Sequence, residues 1–139
     1  MIDFYYETDF SIVEELEYAD WIGRIVNSED RNHAQLDFIF CDDEYLLKIN
    51  QEYLNHDTFT DIITFPYEDL GGIAGDIFIS VERVKDNAVE YGVDFDTELK
   101  RVMAHGVLHL LGYGDKTKEE VLVMRSKEDE KIKLFHVEH

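Results

Sequence analysis

HGVLHLLGYGD, residues 105–115, is the stretch around which the rest of the chain can be ordered. His105 and His109 stand four apart, so on a helix both imidazoles leave one face, one turn above the other. Gly112 follows three residues later, and glycine can end a helix in the left-handed conformation without steric cost. The chain can then double back and return the carboxylate of Asp115 toward the two histidines. Val102, Val107, Leu108, Leu110 and Leu111 make this helix apolar around most of its circumference, which places it at the centre of the fold.

Two neutral imidazoles and one carboxylate form a three-ligand set that suits Zn²⁺. Such a set leaves a coordination position open for water, as catalytic sites do. The same donors accept Ni²⁺, Mn²⁺ or Fe²⁺. The competing reading is a pair of satisfied core histidines. Against it stands the whole series of His, His, helix-ending Gly and Asp at offsets 0, 4, 7 and 10, the layout of the long zinc-peptidase motifs. Those motifs place Glu directly after the first His as general base, and here that position is Gly106. The expected site is therefore one divalent metal, with Zn²⁺ foremost, held by His105, His109 and Asp115 without the peptidase base.

Working outward, Asp96 is the expected cap of the metal helix, and TKEEVLVMRSKEDEKIK after it reads as a final amphipathic helix using Val121, Leu122, Met124 and Ile132. Upstream, IAGDIFIS over 73–80 reads as a strand, with Ser80 capping a helix to about Tyr91 and Gly92 closing it. Ile62–Phe65 is a short buried strand that Pro66 is expected to stop, and Gly71 and Gly72 mark the turn to the next, antiparallel strand. HAQLDFIFC, 33–41, alternates Leu36, Phe38 and Phe40 against polar neighbours, the period of a strand. It is followed by a helix over about 42–53, capped by Asp42 or Asp43, with Leu46, Leu47 and Ile49 turned to the core. Residues 2–6, IDFYY, are β-prone. Ser11, with Glu14 as its capping-box partner, predicts a helix over roughly 12–27 with Ile12, Leu16, Ala19, Ile22 and Val26 as its stripe, widened by Tyr18 and Trp21. The sum is an α+β domain over 1–139: a single mixed sheet of about four strands packed with about five helices, the metal-binding helix central.

The 139 residues carry 13 basic and 32 acidic side chains, a net charge of −19. That balance suits a protein with no broad affinity for phosphate backbones. The distribution is uneven: residues 1–99 hold 5 Lys/Arg against 25 Asp/Glu, whereas 100–139 hold 8 against 7. The segment bearing the metal motif is thus spared the acidity. One cysteine, Cys41, allows no intramolecular disulfide, and no apolar run approaches the ~20 residues of a membrane span. A cytoplasmic protein without membrane contact is expected.

The 105–115 stretch resembles the signature of the YbeY family, H-G-x-L-H-L-x-G-Y-D-H, at His105, Gly106, Leu108, His109, Leu110, Gly112 and Tyr113. The family's third His falls at Asp115 and the Asp before it at Gly114. Its middle segment, approximately L-N-x-x-Y-R-x-K-D-x-x-T-D-V-L-S-F-P, is matched at Asn50, Tyr53, Asp57, Thr60, Asp61, Phe65 and Pro66. Its G-D-I-x-I-S is present as Gly75, Asp76, Ile77, Ile79 and Ser80. Three blocks in order thus cover roughly 49–115. Leu54 occupies the position of an arginine that the family is thought to use against RNA or the reacting phosphate, and His56 is the nearest substitute cation.

The resemblance implies a metal-dependent single-strand endoribonuclease of ribosomal RNA processing, acting at the 3′ end of 16S RNA and in ribosome quality control. Its implied partners are ribosomal RNA and proteins of the small ribosomal subunit. His56, Asp61 and Asp76 are the candidate catalytic or orienting residues; a turn before a strand and a solvent-facing strand position are the structural alternatives for the two acids. A second reading is a non-catalytic factor, metal-stabilised, that docks on the small subunit. A more distant third is hydrolysis of a peptide or small ester, which the absence of Glu at Gly106 disfavours.

Overall fold

The alternation of β2 (His33–Cys41) sets the two faces of the sheet. Leu36, Phe38 and Phe40 are fully buried on one side, while Gln35, Asp37 and Ile39 on the other are only partly covered. The computed structural model describes residues 1–56, 58–68 and 71–136; Asp57, one of the positions matched to the family pattern, lies outside them. Four strands form one sheet in the order β1-β2-β4-β3. The first, β1 (Ile2–Tyr6), and β4 (Ile73–Ser80) flank β2 in parallel, and β3 (Ile62–Tyr67) runs antiparallel along β4. Parallel neighbours need long crossovers. These are supplied by α1 (Glu15–Ser28) between β1 and β2, and by α2 (Asp43–Leu54) with the edge strand between β2 and β4.

The buried face of the sheet packs on α1 and on α4 (Phe95–Leu110), with Trp21, Ile22, Ile25 and Val26 meeting Val102, Met103 and Val107 in one core. A smaller cluster of Cys41, Leu46 and Ile63 lies under α2 on the opposite face. Two further helices close the site, α3 (Val81–Tyr91) and α5 (Lys118–Lys133). Ser80 caps α3 by accepting from the Arg83 N–H, and Gly92 ends it at φ 67°, the left-handed geometry glycine tolerates. Among the described residues, no helix is long and apolar enough to cross a membrane.

Several local expectations are corrected. Helix α1 begins at Glu15, not near Ile12, and no side chain caps it. Ile12 is buried from the preceding segment while Leu16 is 88% exposed. The stripe is instead Tyr18, Trp21, Ile22, Ile25 and Val26, spaced three and four apart on one face, from which Leu16, two residues before Tyr18, turns away. The cap of α4 is Asp94, whose carboxylate accepts from the Thr97 N–H, rather than Asp96, which falls in the first turn. Pro66 does not stop β3: pairing continues through Pro66 opposite Gly75 and Tyr67 opposite Ala74. Strand β3 is an edge, so a missing N–H there is tolerated. Finally, α5 leaves Val121 and Leu122 exposed and buries Met124, Glu128 and Lys131. It docks through charge as much as through apolar surface.

Candidate metal centre

The Asp94 cap and the apolar packing of Val102, Met103, Ala104 and Val107 hold α4 rigidly under the sheet. A β-carbon on Gly106 would meet Ile62 Cδ1 at 2.8 Å and Ile77 Cγ2 at 2.9 Å. The residue after the first histidine therefore points into the sheet, and a glutamate there could not serve the site without lifting the helix. After Leu110 the chain turns: Gly112 N–H donates to the His109 carbonyl, Tyr113 N–H to that of Leu108, and Gly112 takes φ 107°. The reversal brings Asp115 back over the end of α4.

Asp115 Oδ2 lies 3.3 Å from His105 Nε2 and 3.2 Å from His109 Nε2, and the two Nε2 atoms are 2.9 Å apart. The other ring nitrogens are committed elsewhere. His105 Nδ1 sits 2.7 Å from Glu128 Oε2, and His109 Nδ1 sits 2.9 Å from the Tyr113 carbonyl. A carboxylate and a carbonyl only accept, so each Nδ1 carries the proton. Both Nε2 atoms and Asp115 Oδ2 then face one another as three acceptors with no donor between them. A metal cation, or a proton taken up on one Nε2, relieves that arrangement. The edges of the triangle, 2.9–3.3 Å, are close to the ~3.3 Å between ligands at 2.0–2.1 Å around a tetrahedral Zn²⁺. Among the described residues, these three are the group of His, Cys and acids that could hold a metal ion.

The electrostatics agree. Burial would lower the pKa of His105, but the hydrogen bond and charge of Glu128, with Asp115 and Asp61, hold it above its ordinary value. The field that favours a proton there also favours a metal cation. Asp61 is pushed up by burial, against the opposing pull of His105 and the hydrogen bond from Asn87. It lines both clefts that meet at His105. His56 follows α2 and lines the same groove as the three acceptors, with Leu54 beside it. Asp76 is not part of the site. It projects from the far face of β4, where the Tyr67 hydroxyl donates to it, because residue 77, not 76, shares the face of the sheet covered by α4.

Glu128 is the residue that sequence reasoning missed. It is 7% exposed and its second oxygen accepts from Arg101 at 3.0 Å. One signal for it existed: it lies midway between Met124 and Ile132 at four-residue spacing, an acid in line with the apolar positions of α5.

The family model described as Endoribonuclease YbeY matches residues 4–136. The chain belongs to the YbeY family. Relatives bearing the name Endoribonuclease YbeY include one from Flavobacterium johnsoniae, 58% identical over 138 residues and covering 99% of both chains. Another from Flavobacterium psychrophilum is 57% identical over 137 residues, covering 99% of this chain and 98% of the relative. A more distant one, from Bacteroides thetaiotaomicron, is 38% identical over 122 residues, covering 88% and 89%. Among solved structures, the solution structure of TM1509 from Thermotoga maritima superposes with a TM-score of 0.71 at 27% identity, over 97% of this chain and 89% of that one. Within the YbeY pattern, Asp115 stands where the third histidine is expected. Its Oδ2 completes the acceptor triangle from that position.

Proposed function

We infer that this YbeY-family chain is a metal-dependent single-strand endoribonuclease of ribosomal RNA processing, working as one unit over 1–139. The observation that carries this reading is the convergence of His105, His109 and Asp115 as three donorless acceptors on the wall of an open groove. Zn²⁺ is the proposed ion, the 3′ end of 16S RNA the proposed substrate, and ribosome quality control a linked role. A cytoplasmic setting and small-subunit proteins as partners belong to the same proposal.

A bound divalent ion would polarise a phosphoryl oxygen and acidify a water molecule at the site. The remaining work falls to the chain itself. Glu128 and the Tyr113 carbonyl fix the tautomers and orientation of the two imidazoles. Asp115 contributes a negative charge where the family pattern has a neutral imidazole, so the centre carries one positive charge fewer. Asp61, beside His105 and raised from its ordinary value by burial, is the proposed proton carrier. His56 is proposed to face the substrate from the groove wall.

The docking-factor reading has its own support. Asp3, Asp37 and Asp76 lie side by side across three strands on the face away from the metal centre, an acidic row suited to a basic ribosomal protein. The deciding experiment is cleavage of a ribosomal RNA precursor spanning the small-subunit 3′ end by metal-loaded protein, with His109→Ala prepared identically. Cleavage by the parent alone supports the nuclease. Equal cleavage by both, or none by either, transfers the assignment to docking.

A further inference from the structure

Two clefts meet at His105 and Asp115. One, about 590 Å³, runs past Leu54, His56, Thr58 and Thr60 and includes Lys116. The other, about 300 Å³, opens between α3, α4 and α5 and includes Tyr91, Arg101 and Arg125. Asp61, Ile62, His105 and Asp115 line both, so an extended ligand passing from one cleft to the other crosses the candidate metal centre.

A polyanion approaching this molecule meets a net charge of −19, so its binding depends on local cations that acids have not already taken. In the larger cleft, Lys116 is the one Lys or Arg among the described lining residues, and its ammonium makes no ion pair with them. In the smaller cleft, Arg101 is held between Glu128 at 3.0 Å and Asp129 at 2.7 Å. Arg125 is different. Its side chain is 56% exposed, and its acidic neighbours are Glu128 Oε1 at 3.7 Å, an oxygen already accepting from Arg101, and the buried Glu98, which feels its charge without an ion-pair contact. Its guanidinium keeps donors for a phosphate. The exposed ring of Tyr91 in the same cleft offers a face on which a base can stack.

We propose that Lys116 and Arg125 bind the backbone phosphates on either side of the one at the metal centre. The substrate is then a single strand with at least one nucleotide beyond the cleaved bond in each direction. This rests on the RNA-hydrolysis reading above and assigns its two positioning residues.

The test is binding of a fluorescent 2′-O-methyl RNA 12-mer over a salt titration without added metal, alongside KM and kcat for cleavage with metal. Each phosphate contact contributes a slope of about −0.7 to the logarithm of affinity against the logarithm of salt. Lys116→Gln and Arg125→Gln should each flatten the slope by about that amount and raise KM several-fold while leaving kcat nearly unchanged. Lys116→Arg and Arg125→Lys should restore it, and Lys48→Gln, on the opposite face of the sheet, should leave it unaltered. Unchanged slopes in both Gln variants, or an equal loss in Lys48→Gln, would overturn the proposal while a cleaving parent kept the nuclease reading intact. A parent that binds through both residues but fails to cleave whichever divalent metal is supplied would keep the track and remove the nuclease. A parent that binds no strand at any salt would remove both.

Discussion

His105 Nδ1 and Glu128 Oε2 lie 2.7 Å apart, joining α4 to α5 across 23 residues of sequence. The contact sets the imidazole so that Nε2 faces Asp115, and it places a buried negative charge behind the candidate ligand. Partners of this kind commonly tune metal affinity by 10–100-fold.

Glu128→Gln keeps an oxygen for Arg101 but removes the charge. Affinity for Zn²⁺, measured by competition with a chromogenic chelator, should fall by about 10–100-fold with the circular dichroism spectrum unchanged. Equal affinity would reduce Glu128 to a packing residue.

Asp115→Ala removes an acceptor from the triangle itself and should weaken metal binding more than Glu128→Gln does. The same chelator competition reads the outcome. Should the variant bind as tightly as the parent, Asp115 is a turn residue and the ligand set is wrong.

Gly106→Ala forces a methyl group against Ile62 and Ile77. Overpacking of this kind costs about 1–3 kcal/mol, offset by up to about 1 kcal/mol of helix propensity. Thermal unfolding should therefore show a lower Tm. An unchanged or higher Tm would mean that the two isoleucine side chains yield freely and that the sheet does not dictate glycine at this position.

Lys131 is fully buried at 2.7 Å from Glu29 Oε2, and Glu29 also accepts from Lys127 and the Tyr113 hydroxyl. Burial pushes the Glu29 carboxyl up, but the hydrogen bonds from Lys131, Tyr113 and Lys127 prevail and bring it down to about 2 from 4.5. A depressed carboxyl pKa contributes stability above the unfolded value and loses it as protons bind. Urea unfolding should thus show stability falling as pH drops from 4.5 toward 2. Lys131→Met should destabilise the protein at neutral pH by an amount near the lower end of about 3–5 kcal/mol, since Lys127 remains, and should shrink the acid-dependent part. A pH profile identical to the parent would contradict this assignment.

The sequence by itself determined the elements and which side chains one helix and its turn would bring together. Strand alternation in 33–41, the Ser80 cap, the Gly92 stop and the His105–Gly112 spacing are local properties, settled by side-chain periodicity and backbone freedom within a few residues. His105, His109 and Asp115 were legible for the same reason: one helix and one turn bring them together. Tertiary structure decided what depends on which face a neighbour covers. Asp76 and Ile77 are adjacent in sequence, yet only Ile77 faces α4, because the sheet has two sides and α4 packs on one. Pro66 remains in the ladder because β3 is an edge. Glu128 and Arg125 reach the site because α5 folds back across α4, and Lys131 is buried because Glu29 waits for it at the end of α1. A charged residue can occupy such an interior position only where its partner is brought from afar. That pairing is a property of the assembled fold, not of any stretch of the chain.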